Sequence, residues 1–386
     1  MSLLNRKFVI LLGIVLVVII VASLFLVAVF LGSRASSREF YVGVEYAYGD
    51  GDDDVAEVMT LVDKVKDYTN FFVIGLSGLT FNRTALDEAS DYVVDANLNL
   101  IVQFTRLDHY DYNISVWLAE ASVKYGDKFL GVYRYDEPGG NQLDHESRLI
   151  NDTVIKPNWG YSEISEVYVG NLTAFPDYYL NFAPRIYTAD YALYWFNYKS
   201  KYTTIFAEFV GNESRDRHIA LCRGAARAFG KDWGVIVTWK YDQVPYLESG
   251  EELYDDLVLA YSAGAKCAVV FSYPHINDYG TLTDDHFDAL KRFWTTMHSN
   301  PESFGSLEPE VAYIVPKDYG FGFRSPTDNI WGFFPADELS PKIYNDIVEL
   351  TAKYDSKLDI LYDEPEYIDA LLGSYSKVYY WNQTIT

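Results

Sequence analysis

Eight short runs rich in β-branched and aromatic residues alternate with amphipathic stretches from residue 40 to residue 300, and this alternation limits the fold more than any other feature. The runs span 40–46, 71–76, 98–104, 129–135, 185–188, 203–209, 234–240 and 266–273. Between them, apolar residues recur at helical spacing over 54–66, 83–96, 115–125, 189–200, 216–229, 251–263 and 283–298. Strand, helix and strand in succession build a parallel sheet with its helices outside, and eight such units close into a barrel. The expected fold class is therefore α/β, with a (β/α)8 TIM-type barrel over 40–306. The run at 185–188 is the weakest, and without it the barrel would be seven-stranded and open or distorted. Residues 138–184 are too long for a routine connection and read as an insertion on the C-terminal face of the barrel.

After Pro301 the pattern restarts. Strands at 311–315, 358–362 and 377–381 flank helical patterns at 340–354 and 366–372, the first opening Ser340-Pro341 with proline at a favoured early helical position. This β-α-β-α-β order reads as a small Rossmann-like domain over 307–386. Gly320-Phe321-Gly322-Phe323 lacks the third glycine and the immediate helix of a dinucleotide turn, so no cofactor is expected. The aromatic segment 316–335, which carries Arg324, is long enough to fold back onto the barrel mouth.

Residues 8–31 contain no charge. A helix of that length reaches about 36 Å and spans a hydrocarbon core of about 30 Å. Arg6 and Lys7 precede it, while Arg34, Arg38 and Glu39 follow it with less net positive charge. The bias places the N-terminus inside and the rest of the chain outside the cell membrane. Residues 1–32 thus read as a cytoplasmic tip and transmembrane signal anchor, and 33–39 as a linker. Ser33-Arg34-Ala35 is the alternative, a signal-peptide cleavage site, although such peptides usually have apolar regions of roughly 7–15 residues. Six Asn-x-Ser/Thr sequons, at Asn82, Asn113, Asn151, Asn171, Asn212 and Asn382, also suit an exported glycoprotein. Cys222 and Cys267 leave open either one bridge or two buried thiols.

Composition narrows the partners. The formal charge of −24, from 55 acidic and 31 basic side chains, repels phosphate backbones and excludes nucleic acid as a natural ligand. The 34 Tyr, 8 Trp and 23 Phe fit both a β-rich core and a surface that stacks on sugars. No His-Glu-x-x-His or Gly-x-Ser-x-Gly motif occurs, and the acidic loop at Asp50, Asp52, Asp53 and Asp54 does not meet the twelve-residue calcium pattern, so no metal is expected.

In such a barrel the strand C-termini face the site. They bring forward Glu45, Arg106, Asp136, Glu137, Asp190, Glu208, Trp239, Lys240, Tyr241 and Tyr273. Carboxylates accept bonds from sugar hydroxyls and aromatic faces cover sugar rings, so the expected partner is carbohydrate. The sharpest signal is Gly131-Val132-Tyr133-Arg134-Tyr135-Asp136-Glu137-Pro138-Gly139-Gly140. Adjacent carboxyls at an apolar strand end oppose each other's ionisation and can hold one proton near neutrality, as a general acid requires.

This segment resembles the fourth-strand motif of (β/α)8 glycoside hydrolases, in which Asn-Glu-Pro or Asp-Glu-Pro carries the acid/base glutamate. The resemblance implies that Glu137 is the general acid/base and Asp136 its substrate-orienting neighbour. Retaining enzymes of that kind place a second Glu after the seventh strand, where this chain has Thr238-Trp239-Lys240-Tyr241-Asp242. Asp242 and Glu248 follow shortly, and Glu208 ends the sixth run. The Asp-Glu pair is also similar to that of substrate-assisted N-acetylhexosaminidases. There the Asp steadies the substrate's own acetamido nucleophile and no second enzymic nucleophile is needed. Some galactosidases carry Rossmann-like domains behind such barrels. The implied function is a membrane-anchored extracellular glycoside hydrolase-like protein. The alternative is a non-catalytic surface glycoprotein that binds glycans or packs in the cell envelope.

Overall fold

A computed structural model describes residues 39–49, 54–105, 109–144 and 148–385. The apolar run 8–31, and with it the expected anchor, lies outside the described residues. Among those described, no helix is long and apolar enough to cross a membrane.

Eight parallel strands close into a barrel in sequence order: β1 (Tyr41–Tyr48), β2 (Phe71–Leu76), β3 (Asn99–Phe104), β4 (Phe129–Arg134), β5 (Ile186–Asp190), β6 (Thr204–Phe209), β7 (Asp232–Val237) and β8 (Cys267–Ser272). Closure comes from β1 against β8, with Tyr41 opposite Cys267 and Tyr46 opposite Ser272. Side chains alternate across each strand. Val42, Val44, Phe72 and Ile74 face the helices. Phe71, Val73, Ile101, Tyr133, Phe206 and Val269 fill the barrel instead. Inside, Tyr187 stacks on Phe206 with ring centroids 5.7 Å apart. Burying each such ring contributes roughly 1.5–3 kcal/mol.

The weak fifth run is a true strand, paired to β4 through Val132–Ile186 and Tyr133–Tyr187 and to β6 through four residue pairs. The expected helix over 189–200 is shorter, Tyr194–Lys199, because β5 continues to Asp190. The stretch 138–184 is not wholly an insertion. It holds the short helix Pro138–Asp144 and the 19-residue helix Tyr161–Tyr179 that covers the barrel between β4 and β5. Period-3.6 patterning in that helix is blunted by Pro176 and by buried tyrosines such as Tyr168 and Tyr179.

Beyond the barrel, β9 (Val311–Val315), β10 (Leu358–Tyr362) and β11 (Lys377–Tyr380) form a small parallel sheet in the order β10-β9-β11, with helices Ser340–Tyr354 and Pro365–Leu372 as crossovers. Barrel and sheet belong to one unit, Phe40–Thr386. The sheet docks on the helix Arg215–Phe229. Arg223 pairs with the fully buried Asp359 at 2.7 Å and donates to the carbonyls of Ala263, Leu307, Ser356 and Leu358. Gly224 is required by contact: a Cβ there would lie 2.5 Å from the Ile360 carbonyl oxygen. Segment 316–335 does fold back. The Trp331 carbonyl accepts from Gln142 Nε2 at 3.1 Å, and the Trp331 and Phe196 rings lie 4.5 Å apart. Cys222 and Cys267 are both buried free thiols.

Candidate active site

The acidic turn after β4 is a tight, strained corner. Tyr135 and Glu137 both have positive φ, 64° and 49°, values that side-chain-bearing residues rarely adopt. The corner is held from the end of β5. The Asp190 carboxylate accepts from the backbone N–H groups of Gly139 at 2.6 Å and Gly140 at 2.9 Å, and from Asn197 Nδ2 at 2.6 Å. Close approach explains the two glycines: added Cβ atoms would sit 2.4 Å from the Ala192 carbonyl oxygen and 2.1 Å from the Tyr191 ring. Asp190, expected to meet substrate, is instead fully buried behind the site and has its lone pairs occupied by these donors and by Tyr191 and Ala192 N–H. It positions Glu137 and does not face the cavity.

At the mouth of the barrel lies a cavity of about 620 Å³ bounded by Glu45, Asp136, Glu137, Glu208, Trp239 and Tyr273. Five different strands thus deliver six of the ten expected residues to one place. The Trp239 ring lies 5.7 Å from Tyr273 and 5.3 Å from Phe271, giving the cavity an aromatic wall. Lys240 does not line it. β7 ends at Val237, and the Lys240 ammonium pairs with Glu252 at 2.5 Å. Tyr241 also lies outside the cavity lining and is 43% exposed. Asp242 is exposed, and the buried Glu248 is paired with Arg215 at 3.0 Å; neither lines the cavity. Arg106 lies outside the described residues.

Two groups missed in the sequence shape the chemistry. The hydroxyls of Tyr48 and Tyr133 donate to the two oxygens of Asp136. Burial raises the Asp136 carboxyl above its ordinary range, and these two hydroxyl donors oppose the rise by favouring its ionised form. Gln103 Nε2 in turn donates to the Tyr48 oxygen at 3.3 Å. Tyr48 escaped notice because β1 runs two residues beyond its expected end. Tyr133 was visible as an inward position of β4, but its partner three residues on was not.

Glu137 is pushed up to about 8, first by burial and then by the nearby Asp136 and Asp190 carboxylates, against a hydrogen bond shared with Glu208 that lowers it. Glu208 is fully buried and raised well above the usual carboxylate range, so it keeps its proton and donates to Glu137. Glu45 is raised by burial and by Asp136, and its Oε2 has no hydrogen-bond partner among the described residues. The arrangement offers one carboxyl whose two oxygens accept from tyrosine hydroxyls, one proton donor poised near neutrality and an aromatic face. No group of His, Cys, Asp and Glu among the described residues is arranged to hold a metal ion.

The sign of the Glu137 shift gives a stability prediction. A carboxyl with its folded-state pKa raised to about 8 stabilises the fold below its unfolded value near 4.3, and that contribution is lost as pH rises through 8. Glu137→Gln is therefore expected to gain about 2–4 kcal/mol over the parent between pH 5 and pH 9, read from paired urea unfolding curves. A constant difference across that window would show that Glu137 titrates normally.

No family model and no curated protein matches the chain. Solved structures do match its fold. A β-galactosidase from Bacillus circulans sp. alkalophilus aligns with a TM-score of 0.52 at 11% identity, over 89% of this chain and 67% of that one. A GH5_18 protein from Bifidobacterium longum subsp. longum, solved with Manb1-4GlcNAc, gives 0.51 at 10% identity, over 90% and 97%. Alpha-L-fucosidase isoenzyme 2 from Paenibacillus thiaminolyticus gives 0.50 at 10% identity, over 88% of this chain; this chain spans 64% of the fucosidase, less than two thirds of its length. The chain has a glycoside-hydrolase-like (β/α)8 fold.

Proposed function

We propose that this chain is a glycan-acting glycoside hydrolase with Glu137 as general acid/base and Asp136 as the carboxylate that orients and stabilises the substrate. The observation that carries the reading is the Glu137–Glu208 hydrogen bond beside a tyrosine-clamped Asp136. A second catalytic carboxylate must be ionised to act as nucleophile or base, and burial together with the neighbouring carboxylates raises Glu208 well above the usual carboxylate range. Glu208 is thus a poor second catalytic carboxylate for Glu137, and Asp242 and Glu248 are outside the cavity. A substrate-assisted route needs neither. The substrate's acetamido oxygen attacks the anomeric carbon as the glycosidic C–O bond breaks and the Glu137 proton passes to the departing oxygen. Asp136 accepts the acetamido N–H and balances the developing positive charge. Water, giving its proton to Glu137, then opens the cyclic intermediate.

Turnover is expected to fall on the alkaline side as Glu137 loses its proton near pH 8. A kcat/KM profile with chromogenic N-acetylhexosaminides tests this, and a flat profile from pH 6 to 10 contradicts the acid assignment. The absence of a β7 glutamate is the one feature favouring the non-catalytic alternative, a surface glycoprotein that binds or packs through the same cavity.

The same proposal places the chain on the outer side of a membrane, held by residues 8–31. All six sequon asparagines are exposed. Asn113 Oδ1 accepts from Ser115 Oγ at 2.7 Å and Asn151 Oδ1 from Thr153 Oγ1 at 2.9 Å, turns compatible with glycan attachment. Protease added to intact cells is expected to remove most of the chain mass. Protection of the C-terminal part would reverse the topology and remove the case for glycosylation.

A further inference from the structure

Glu137 and Glu208 border two hollows. Besides the barrel mouth, they line a second cavity of about 330 Å³ with Tyr191, Val210, His218 and Arg324. A general acid delivers its proton to the atom joining the reacting sugar to its leaving group, so it must stand at the boundary between the spaces holding the two. Glu137 stands at such a boundary. We propose that the two cavities are halves of one substrate cleft, the barrel mouth taking the sugar that reacts and the smaller cavity taking a leaving group that is itself an uncharged sugar. The proposal rests on Glu137 being the general acid.

The wall chemistry selects the ligand. Arg324 comes from the segment that folds back from the small C-terminal sheet. Its Nη1 donates to Asp144 at 2.8 Å, and its Nε and Nη2 donate to Asp328 at 2.9 Å. These bonds fix the guanidinium, neutralise its charge and leave two of its five N–H donors for hydroxyls. Glu213 also borders the cavity. Glu137 and Glu208 are protonated and neutral, Glu213 is paired with Arg217, and Arg324 already faces two carboxylates, so the wall offers a uronic acid or sulfated sugar no uncompensated cation, whereas a neutral sugar needs none. His218 adds an unmet demand. It is 1% exposed, its Nδ1 is bonded to the Tyr194 hydroxyl at 2.9 Å, and its Nε2 has no partner among the described residues. A buried polar nitrogen at a cavity wall is costly until something bonds it.

The test compares 4-nitrophenyl N-acetyl-β-D-glucosaminide, whose leaving group departs without needing the smaller cavity, with N,N′-diacetylchitobiose, whose leaving group fills it. The full-length chain, made in a host without N-glycosylation to keep Asn212 on the rim bare, is assayed alongside Arg324→Gln and Val210→Trp. The first variant removes donors and the second fills space. The disaccharide-to-aryl ratio of kcat/KM is expected to fall at least tenfold in both variants, mainly through KM. An unchanged ratio in both, including equal losses on the two substrates, overturns the proposal. If the parent chain cleaves the aryl glycoside and not the disaccharide, the cleft proposal fails and the acid assignment stands. If it cleaves neither, the functional reading falls and takes the cleft with it.

Discussion

Glu137→Gln is expected to slow hydrolysis by about 10²–10⁴-fold on substrates with poor leaving groups, the usual contribution of a positioned general acid. Aryl glycosides with good leaving groups should lose much less in the first step, because little protonation is needed there. The effect follows from the site. Glu137 is held at an unfavourable positive φ, with burial and neighbouring carboxylates raising its proton affinity, and Asp190 fixes the turn from behind. Asp136→Asn should act differently. It replaces the acceptor clamped by Tyr48 and Tyr133, so the loss should fall chiefly on substrates bearing an N-acetyl group. A two-carboxylate mechanism expects another pattern: a change at Glu208, Asp242 or Glu248 as damaging as one at Glu137, with a trapped glycosyl-enzyme. If Asp136→Asn and Glu137→Gln both leave sugar turnover and binding untouched, the catalytic assignment is wrong and the binding glycoprotein takes its place.

The second large effect is on stability. Arg223→Met is expected to cost about 3–5 kcal/mol, the range for removing one partner of a buried ion pair. The arginine is 2% exposed and Asp359 is fully buried. Four backbone carbonyls also lose their donor. Asp359 retains Arg227 at 2.6 Å and the Tyr375 hydroxyl at 2.7 Å, which keeps the loss from being larger. Arg223→Lys should rescue little, since one ammonium cannot reach five acceptors arranged for a planar fork. Urea unfolding followed by intrinsic tryptophan fluorescence measures the cost. A loss below 1 kcal/mol in Arg223→Met would mean that apolar packing around Gly224 and Ile360, rather than this pair, holds the sheet on the barrel.

Much of the architecture was legible because strand and helix periods differ. Runs such as 71–76 and 203–209 bury both faces, and an all-parallel barrel produces such near-continuous apolar stretches. Strand order followed as well, since right-handed β-α-β connections leave few alternatives. The Asp136-Glu137-Pro138 turn stood out for a local reason: a strand end, two acids and a proline followed by two glycines cannot continue as strand. What failed was side-chain direction near strand ends. Lys240 and Tyr241 lie three and four residues beyond the last residue of β7, where the period of two no longer applies and the chain turns away. Asp190 ends its strand, yet its carboxylate is captured by the N–H groups of Gly139 and Gly140, about fifty residues earlier in sequence.

The amino-acid sequence by itself determined the α/β class, the eight-fold alternation, the small parallel sheet and the acidic turn, because each rests on local periodicity or on turn chemistry within a few residues. Only the tertiary structure decided which carboxyls meet. The Tyr48 hydroxyl on Asp136, the hydrogen bond from Glu208 to Glu137, and the reach of Arg324 to the Glu137 and Glu208 cavity each join residues from separate strands or segments. Their proton affinities depend on burial and on neighbouring charge, and both exist only after the barrel has closed.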